Sequence, residues 1–286
     1  ILILAFFVIF GLLAMFRIDN WPTRFTDNFM PNVFLNVVVA MGLTFIAFEG
    51  YEIIAQSGEE VVNPHRNVPR AIFLAIGIAV TIYIFVSIAS LGAVQTPPGV
   101  EPYQYLGLKK EVAVIEVAQQ TFPWGIGHWV LLISGLFSTM SALNATTYSS
   151  SRVSFAMGRD HNLPDFFSKI HPTRHTPYWA VIISGSIMLL FAWSLPIENV
   201  AAAADIMFLL LFLQVNVTLI KLREKMPDLD RGFHVPWVPF LPIVGLVLNG
   251  ILAITLFQYA PVVWFIAIGW IIVGMLAYYA HFSKVE

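Results

Sequence analysis

The feature that most constrains this chain is the recurrence of apolar runs long enough to cross a lipid bilayer. A helix needs roughly 20 predominantly apolar residues to do so. Eight runs recur along the 286 residues, at 1–16, 31–57, 69–95, 123–150, 177–195, 199–221, 238–258 and 261–282. Backbone groups in hydrocarbon must be satisfied inside the segment, so helices are expected and open sheets are not. The expectation is an all-α integral membrane protein with eight transmembrane helices. Composition agrees: 58% of the residues are hydrophobic and 11% charged, against about 45–50% and about 25% in soluble domains. The first run opens Ile1-Leu2-Ile3-Leu4, with neither Met nor a charged flank. It reads as a span cut in mid-helix rather than a signal peptide, which implies N-terminal truncation.

The Lys and Arg residues sort by loop. One alternating set of loops holds Arg66, Arg70, Arg152, Arg159, Lys169, Arg174, Lys221, Arg223, Lys225, Arg231 and Lys284. The other set holds Arg17, Arg24, Lys109 and Lys110. Excess positive charge marks the cytoplasmic side, so both ends of the chain are expected there, in a multi-pass cell-membrane protein. Trp124, Trp129, Trp179, Trp237, Tyr278 and Tyr279 fall near span ends, as interfacial belts do. With no cysteine, disulfides, thiolate catalysis and zinc–thiolate sites are excluded. The net charge of -2 comes without a basic stripe, which argues against nucleic-acid binding. His65, His161, His171, His175 and His234 are scattered over the basic-side loops with no metal-ligand spacing, so no metal or cofactor is expected. No His-Glu-x-x-His run or nucleophile–base pair suggests an enzyme.

Residues 99–121 mix Val100, Tyr103, Leu106, Val112, Ile115 and Val117 with Glu101, Lys109, Lys110, Glu111 and Glu116. That is too polar to span. It reads as an amphipathic helix on the outer surface, either a lid over a vestibule or a plain connector.

The second run is abnormal for a helix that faces lipid. It carries Gly42, Thr44 and Gly50 together with Glu49 and Glu52. An ionised carboxylate at bilayer centre costs on the order of 3 kcal/mol, so both acids must face protein or water. They are three residues apart, on roughly one helical face. The inference is a discontinuous helix, unwound around Phe45 to Gly50. Freed backbone groups are tolerated only where they line a cavity, and such breaks hold small charged solutes in secondary transporters. Carbonyls suit an ammonium and helix N-termini suit a carboxylate; an α-amino acid has both. The competing reading keeps the helix continuous, with Gly50 serving only close packing.

Phe45-Ile46-Ala47-Phe48-Glu49-Gly50-Tyr51-Glu52, followed by Glu59-Glu60-Val61-Val62-Asn63-Pro64-His65-Arg66-Asn67-Val68-Pro69-Arg70, resembles the sixth-helix signature of the amino acid–polyamine–organocation permeases. Ser151-Arg152, Ala156-Met157-Gly158-Arg159-Asp160 and Leu163-Pro164, leading to Thr176-Pro177, are similar to the loop after that family's eighth helix. Leu222-Arg223, Pro227 and Arg231-Gly232-Phe233-His234-Val235-Pro236 are similar to the run before its eleventh. The resemblance implies family helices five to twelve in one transmembrane domain over 1–286. Residues 1–16 would be the last helix of the first repeat, 31–221 the second repeat, and 238–282 two accessory helices of a partial five-plus-five-plus-two inverted repeat. The missing N-terminal helices would supply the other half of the site.

By the same resemblance, Phe45, Ile46, Ala47, Phe48, Glu49 and Gly50 would line the substrate site, largely through backbone, with Phe48 closing over the substrate. Glu52 occupies the place of an acid tied to gating or proton sensing. Glu49 stands where uncharged residues are common; it would favour a cationic substrate or bind a proton. Ser134, Ser138 and Ser141 share a helix face. They serve as helix–helix glue or, as in sodium-coupled relatives, Ser138 and Ser141 give hydroxyls to an ion. Asp205 reads as structural or interfacial. Glu59, Glu60 and Arg66 form an inner gate network or a solvated loop. The implied function is secondary active transport of amino acids by alternating access, driven by protons or exchange. The alternatives are sodium coupling, transport of polyamines or other organocations, or a truncated fragment inactive by itself.

Overall fold

The computed structural model describes residues 1–19, 21–26, 34–229 and 231–282. Residues 31–33 of the second apolar run and Lys284 lie outside the described residues. Among the described residues all regular structure is helical. The α-helices are α1 (Leu2–Met15), α2 (Thr23–Thr26), α3 (Phe34–Leu43), α4 (Tyr51–Gln56), α5 (Pro64–Ala93), α6 (Pro102–Lys109), α7 (Ala113–Thr121), α8 (Gly127–Arg159), α9 (Tyr178–Ser194), α10 (Ile197–Lys225), α11 (Phe240–Tyr259) and α12 (Pro261–Phe282).

Helices α5, α8, α10, α11 and α12 are long and apolar enough to cross a bilayer, whereas α1 and α9 are apolar but shorter. Large apolar side chains such as Phe6, Phe73, Leu189, Leu190 and Phe265 point outward along the helices. A soluble protein rarely exposes contiguous surface of that kind. Trp124, Trp193 and Trp237 are 90%, 87% and 76% exposed at or just beyond helix ends, where an amphipathic ring suits the interface.

The chain divides into two compact units, Ile1–Pro31 with Leu74–Asn144, and Asn32–Phe73 with Ala145–Glu286. In the first, Phe7 and Met15 of α1 pack with Ala89, Ala93, Val94, Val117, Ala118, Phe122 and Leu131. Arg24 closes the C-terminal end of α5: its Nη1 donates to the carbonyls of Gly92 at 3.0 Å and Val94 at 2.7 Å. Those are carbonyls a helix end leaves without intrahelical donors. The expected single amphipathic helix over 99–121 is instead two helices. They are separated at Lys110, whose φ of 47° interrupts the winding. Val117 and Ala118 of α7 are buried in the core beside α1, so that apolar face packs on protein. Tyr105 and Lys109 of α6 meet Glu116 of α7, at 3.1 Å and 3.2 Å. Burial opposes ionisation of Glu116, but the Lys109 and Tyr105 hydrogen bonds outweigh it. The carboxyl therefore sits below its ordinary pKa.

In the second unit α10 is the central strut, packed on α11, α12 and α3. Ala202, Ala203, Ile206 and Leu209 of α10 pack with Ala253, Leu256, Val263 and Ala267. Small residues let helices approach closely where lipid removes the hydrophobic drive for association. Arg231 closes the end of α10. It donates to the carbonyls of Pro227, Leu229 and Leu222 at 3.1, 3.0 and 3.2 Å, and to that of Met226. The next residue, Gly232, lies against the Cα and Cβ of His65, so any side chain there would overlap them. Helix α5 begins five residues ahead of the apolar run. Pro64 occupies its first turn, where the missing N–H is no loss, and Asn63 precedes it at φ 50°.

Candidate functional site: the break between α3 and α4

The second apolar run does not form one helix. The α-helical ladder ends with the Thr44 amide donating to the Ala40 carbonyl at 2.9 Å, and the Thr44 hydroxyl donates to the same oxygen at 2.8 Å. A 3-10 turn follows over Phe45–Phe48. Within it Ala47 N donates to Thr44 O at 3.0 Å, and Glu49 N to Ile46 O at 3.1 Å. Glu49 is extended, at φ -71° and ψ 163°. Gly50 then turns left-handed, at φ 116° and ψ -21°, and α4 starts at Tyr51. Glycine is the residue that adopts such a φ without the Cβ penalty. Phe45, Ile46, Ala47 and Phe48 thus lie in the 3-10 turn, with Glu49 and Gly50 as the interruption itself.

Side chains hold the interruption in place. The Ile46 amide donates to Asp205 Oδ1 at 2.6 Å. Asp205 lies on α10 and is fully buried. The Gly50 amide donates to Glu52 Oε2 at 2.6 Å, so Glu52 caps the start of its own helix, where a carboxylate is favoured. Phe212 of α10 touches both flanks of the break. Its ring is edge-on to Phe45 at 6.1 Å and stacked on Tyr51 at 5.9 Å. Asp205 and Phe212 are seven residues apart, close to two turns, and so share a face of α10. Both carboxylate oxygens of Glu49, and Oδ2 of Asp205, are buried without a hydrogen-bond partner among the described residues. Phe48 stays 39% exposed.

At the other end of α4 a second polar cluster forms. Glu60 pairs with Arg152 of α8 at 2.6 Å and accepts the Tyr148 hydroxyl at 2.6 Å. Glu59 pairs with Arg159 at 3.3 Å. Residues 55–60 and the last turns of α8 enclose a cavity of about 370 Å³. The cations that meet these acids are thus Arg152 and Arg159, while Arg66 is exposed in the first turn of α5. Ser138 and Ser141 are exposed positions of α8 within the first compact unit, whereas residues 45–52 belong to the second. Sequence reasoning did not assign Phe212 a role and read Asp205 as structural or interfacial. A readable signal was the Asp205, Phe208, Phe212 spacing on one face of an apolar helix.

Outward apolar helices and a helix broken around two acids define a multi-pass membrane protein. The model of the family described as Amino acid permease matches residues 1–277, and the chain belongs to that family. It is similar to the methylthioribose transporter of Bacillus subtilis (strain 168), with 28% identity over 99% of this chain and 58% of that protein. Similarity to the branched-chain amino acid permease of the same organism is 31% over 93% of this chain and 53% of that protein. Similarity to the human large neutral amino acids transporter small subunit 2 is 26% over 98% and 50%. These relatives are named as transporters and permeases, not enzymes. The chain spans about half the length of the curated relatives it matches.

Proposed function

We propose that the protein carries an amino acid across the cell membrane by alternating access, and that residues 45–50 form one half of its substrate site. The observation that carries this reading is the break itself. A helix that stops at Leu43 and restarts at Tyr51 interrupts the regular backbone ladder inside an apolar layer, which is tolerated only where the irregular backbone is buried in protein or lines a site. Phe45, Ile46, Ala47, Phe48, Glu49 and Gly50 offer that backbone to a zwitterion, and Phe48 closes over its side chain. Glu52 caps α4 through the Gly50 amide, which places an acid at the hinge of the break and supports a role in gating or proton coupling. Ser138 and Ser141 are the candidate ion ligands if sodium drives the cycle. The names of the relatives support an amino acid or a similarly small polar solute as substrate. The other half of the site is assigned to first-repeat helices that precede the region matched here. The full arrangement is eight spans from this chain, both its ends in the cytoplasm, with the Glu59, Glu60, Arg152 and Arg159 cluster on the inner side.

Uptake of a labelled amino acid into proteoliposomes tests the reading, with unlabelled amino acids as competitors. Running it with and without sodium, and with and without a pH gradient, identifies the driver. Saturable uptake competed by a subset of amino acids is expected. Transport of none of them would remove the assignment.

A further inference from the structure

We infer that Asp205 is a positioning residue for the substrate site, holding the unwound segment on α10 through the Ile46 amide. The inference rests on the reading of residues 45–50 as that site. When a helix ends inside an apolar layer, the amides of the next turn have no water to turn to, and an unpaired one is costly. Asp205 Oδ1 takes the Ile46 amide at 2.6 Å, across 159 positions of sequence. The donor is a backbone amide and the acceptor a side-chain oxygen, so the bond fixes both distance and direction.

The surroundings show that Asp205 is not there for packing. The buried residues around it on α10 are Ala202, Ile206 and Leu209, all apolar. Its second oxygen has no partner among the described residues. A buried polar oxygen left open is a cost that a leucine at this position would avoid. Features that break a local rule without local compensation collect at functional sites. Two turns further along α10, Phe212 stacks on Tyr51 and meets Phe45. Helix α10 therefore holds the break on both flanks: a directional hydrogen bond fixes the 3-10 turn, and an aromatic contact fixes the restart. The ring contacts tolerate sliding, whereas the hydrogen bond does not, so Asp205 sets where the backbone of 45–48 stands.

The test compares Asp205→Ala and Asp205→Asn in the full-length protein in proteoliposomes, reading uptake kinetics and backbone hydrogen exchange over 44–52. The Asn side chain keeps an oxygen for the Ile46 amide; the Ala side chain does not. Asp205→Ala is expected to raise KM about tenfold, leave kcat little changed, and speed exchange in this segment about tenfold, the scale of one buried hydrogen bond. Asp205→Asn is expected to stay within about threefold of the unmodified protein in both readouts. Unchanged exchange in Asp205→Ala overturns the tie itself. Faster exchange with an unchanged KM overturns the link between the tie and substrate. If Asp205→Ala does not accumulate, Asp205→Asn decides: a tenfold rise in KM with unchanged exchange overturns the proposal. In parallel, Phe48→Ala reports on the site. An unaltered competition pattern there counts against the site assignment and leaves the exchange result for Asp205 standing.

Discussion

Replacing Gly50 with alanine perturbs the break without touching anything else. Gly50 sits at φ 116° and ψ -21°, and a Cβ added there meets no atom within 4 Å. The penalty is therefore one of backbone conformation alone, about 1–3 kcal/mol for an L-residue held in so sparse a region. Alanine in a continuous helix is also favoured over glycine, by up to about 1 kcal/mol. Both effects push toward winding α3 and α4 into one helix. Together they amount to about 1–4 kcal/mol, roughly fivefold to several hundredfold in the balance between broken and wound forms. The assay is uptake in proteoliposomes alongside hydrogen exchange over 44–52. Expected are a KM raised about fivefold or more and slower exchange at 46–50. Gly77→Ala is the control: it lies inside α5 with open space around it and is expected to be neutral or slightly stabilising. Gly50→Ala with unaltered KM and unaltered exchange would refute the reasoning.

Glu52→Gln keeps an oxygen to accept the Gly50 amide, so the variant is expected to fold and transport but to lose the pH dependence of uptake. A surviving pH profile removes the proton role. Arg231→Ala strips donors from four carbonyls at the end of α10. It is expected to cost about 1–2 kcal/mol, read as a lower melting temperature in detergent. Arg231→Lys should recover only part, because an ammonium cannot reproduce the fork. The pairing of α6 with α7 should weaken in acid. Glu116 is held below its ordinary pKa, so its stabilising contribution is full above the unfolded value near 4.5 and is lost as pH falls through the lower folded value. Exchange over 102–121 that speeds only in this acidic range is expected; the same acceleration at neutral pH would contradict it.

Much of the helix plan is legible in the sequence because burial in lipid leaves long apolar runs as its trace. The run at 199–221 becomes α10, and the run at 177–195 becomes α9, with ends shifted by a few residues. The break was legible for a related reason: two carboxylates and a glycine are costly on a lipid-facing helix, and Glu49, Gly50 and Glu52 announce it. What anchors the break was not. The contact between Asp205 and Ile46 joins residues 159 positions apart, and no local period encodes it. Arg24 and Arg231 read as loop charges, yet each closes a helix end, because a guanidinium reaches several carbonyls at once. The interruption at Lys110 leaves no signal, since lysine has no preference for a positive φ. The start of α5 at Pro64, ahead of the apolar run that begins at 69, follows from proline being at home in the first turn of a helix.

On the proposed reading, the peptide backbone at 46–50 meets the transported solute directly. Hydrogen exchange of the reconstituted full-length protein, with and without a saturating amino acid that competes for uptake, measures this at the level of individual peptides. Slower exchange confined to peptides covering 44–52 and their partners on α10 is the predicted result. Protection elsewhere, with exchange at 44–52 the same in both conditions, would contradict it.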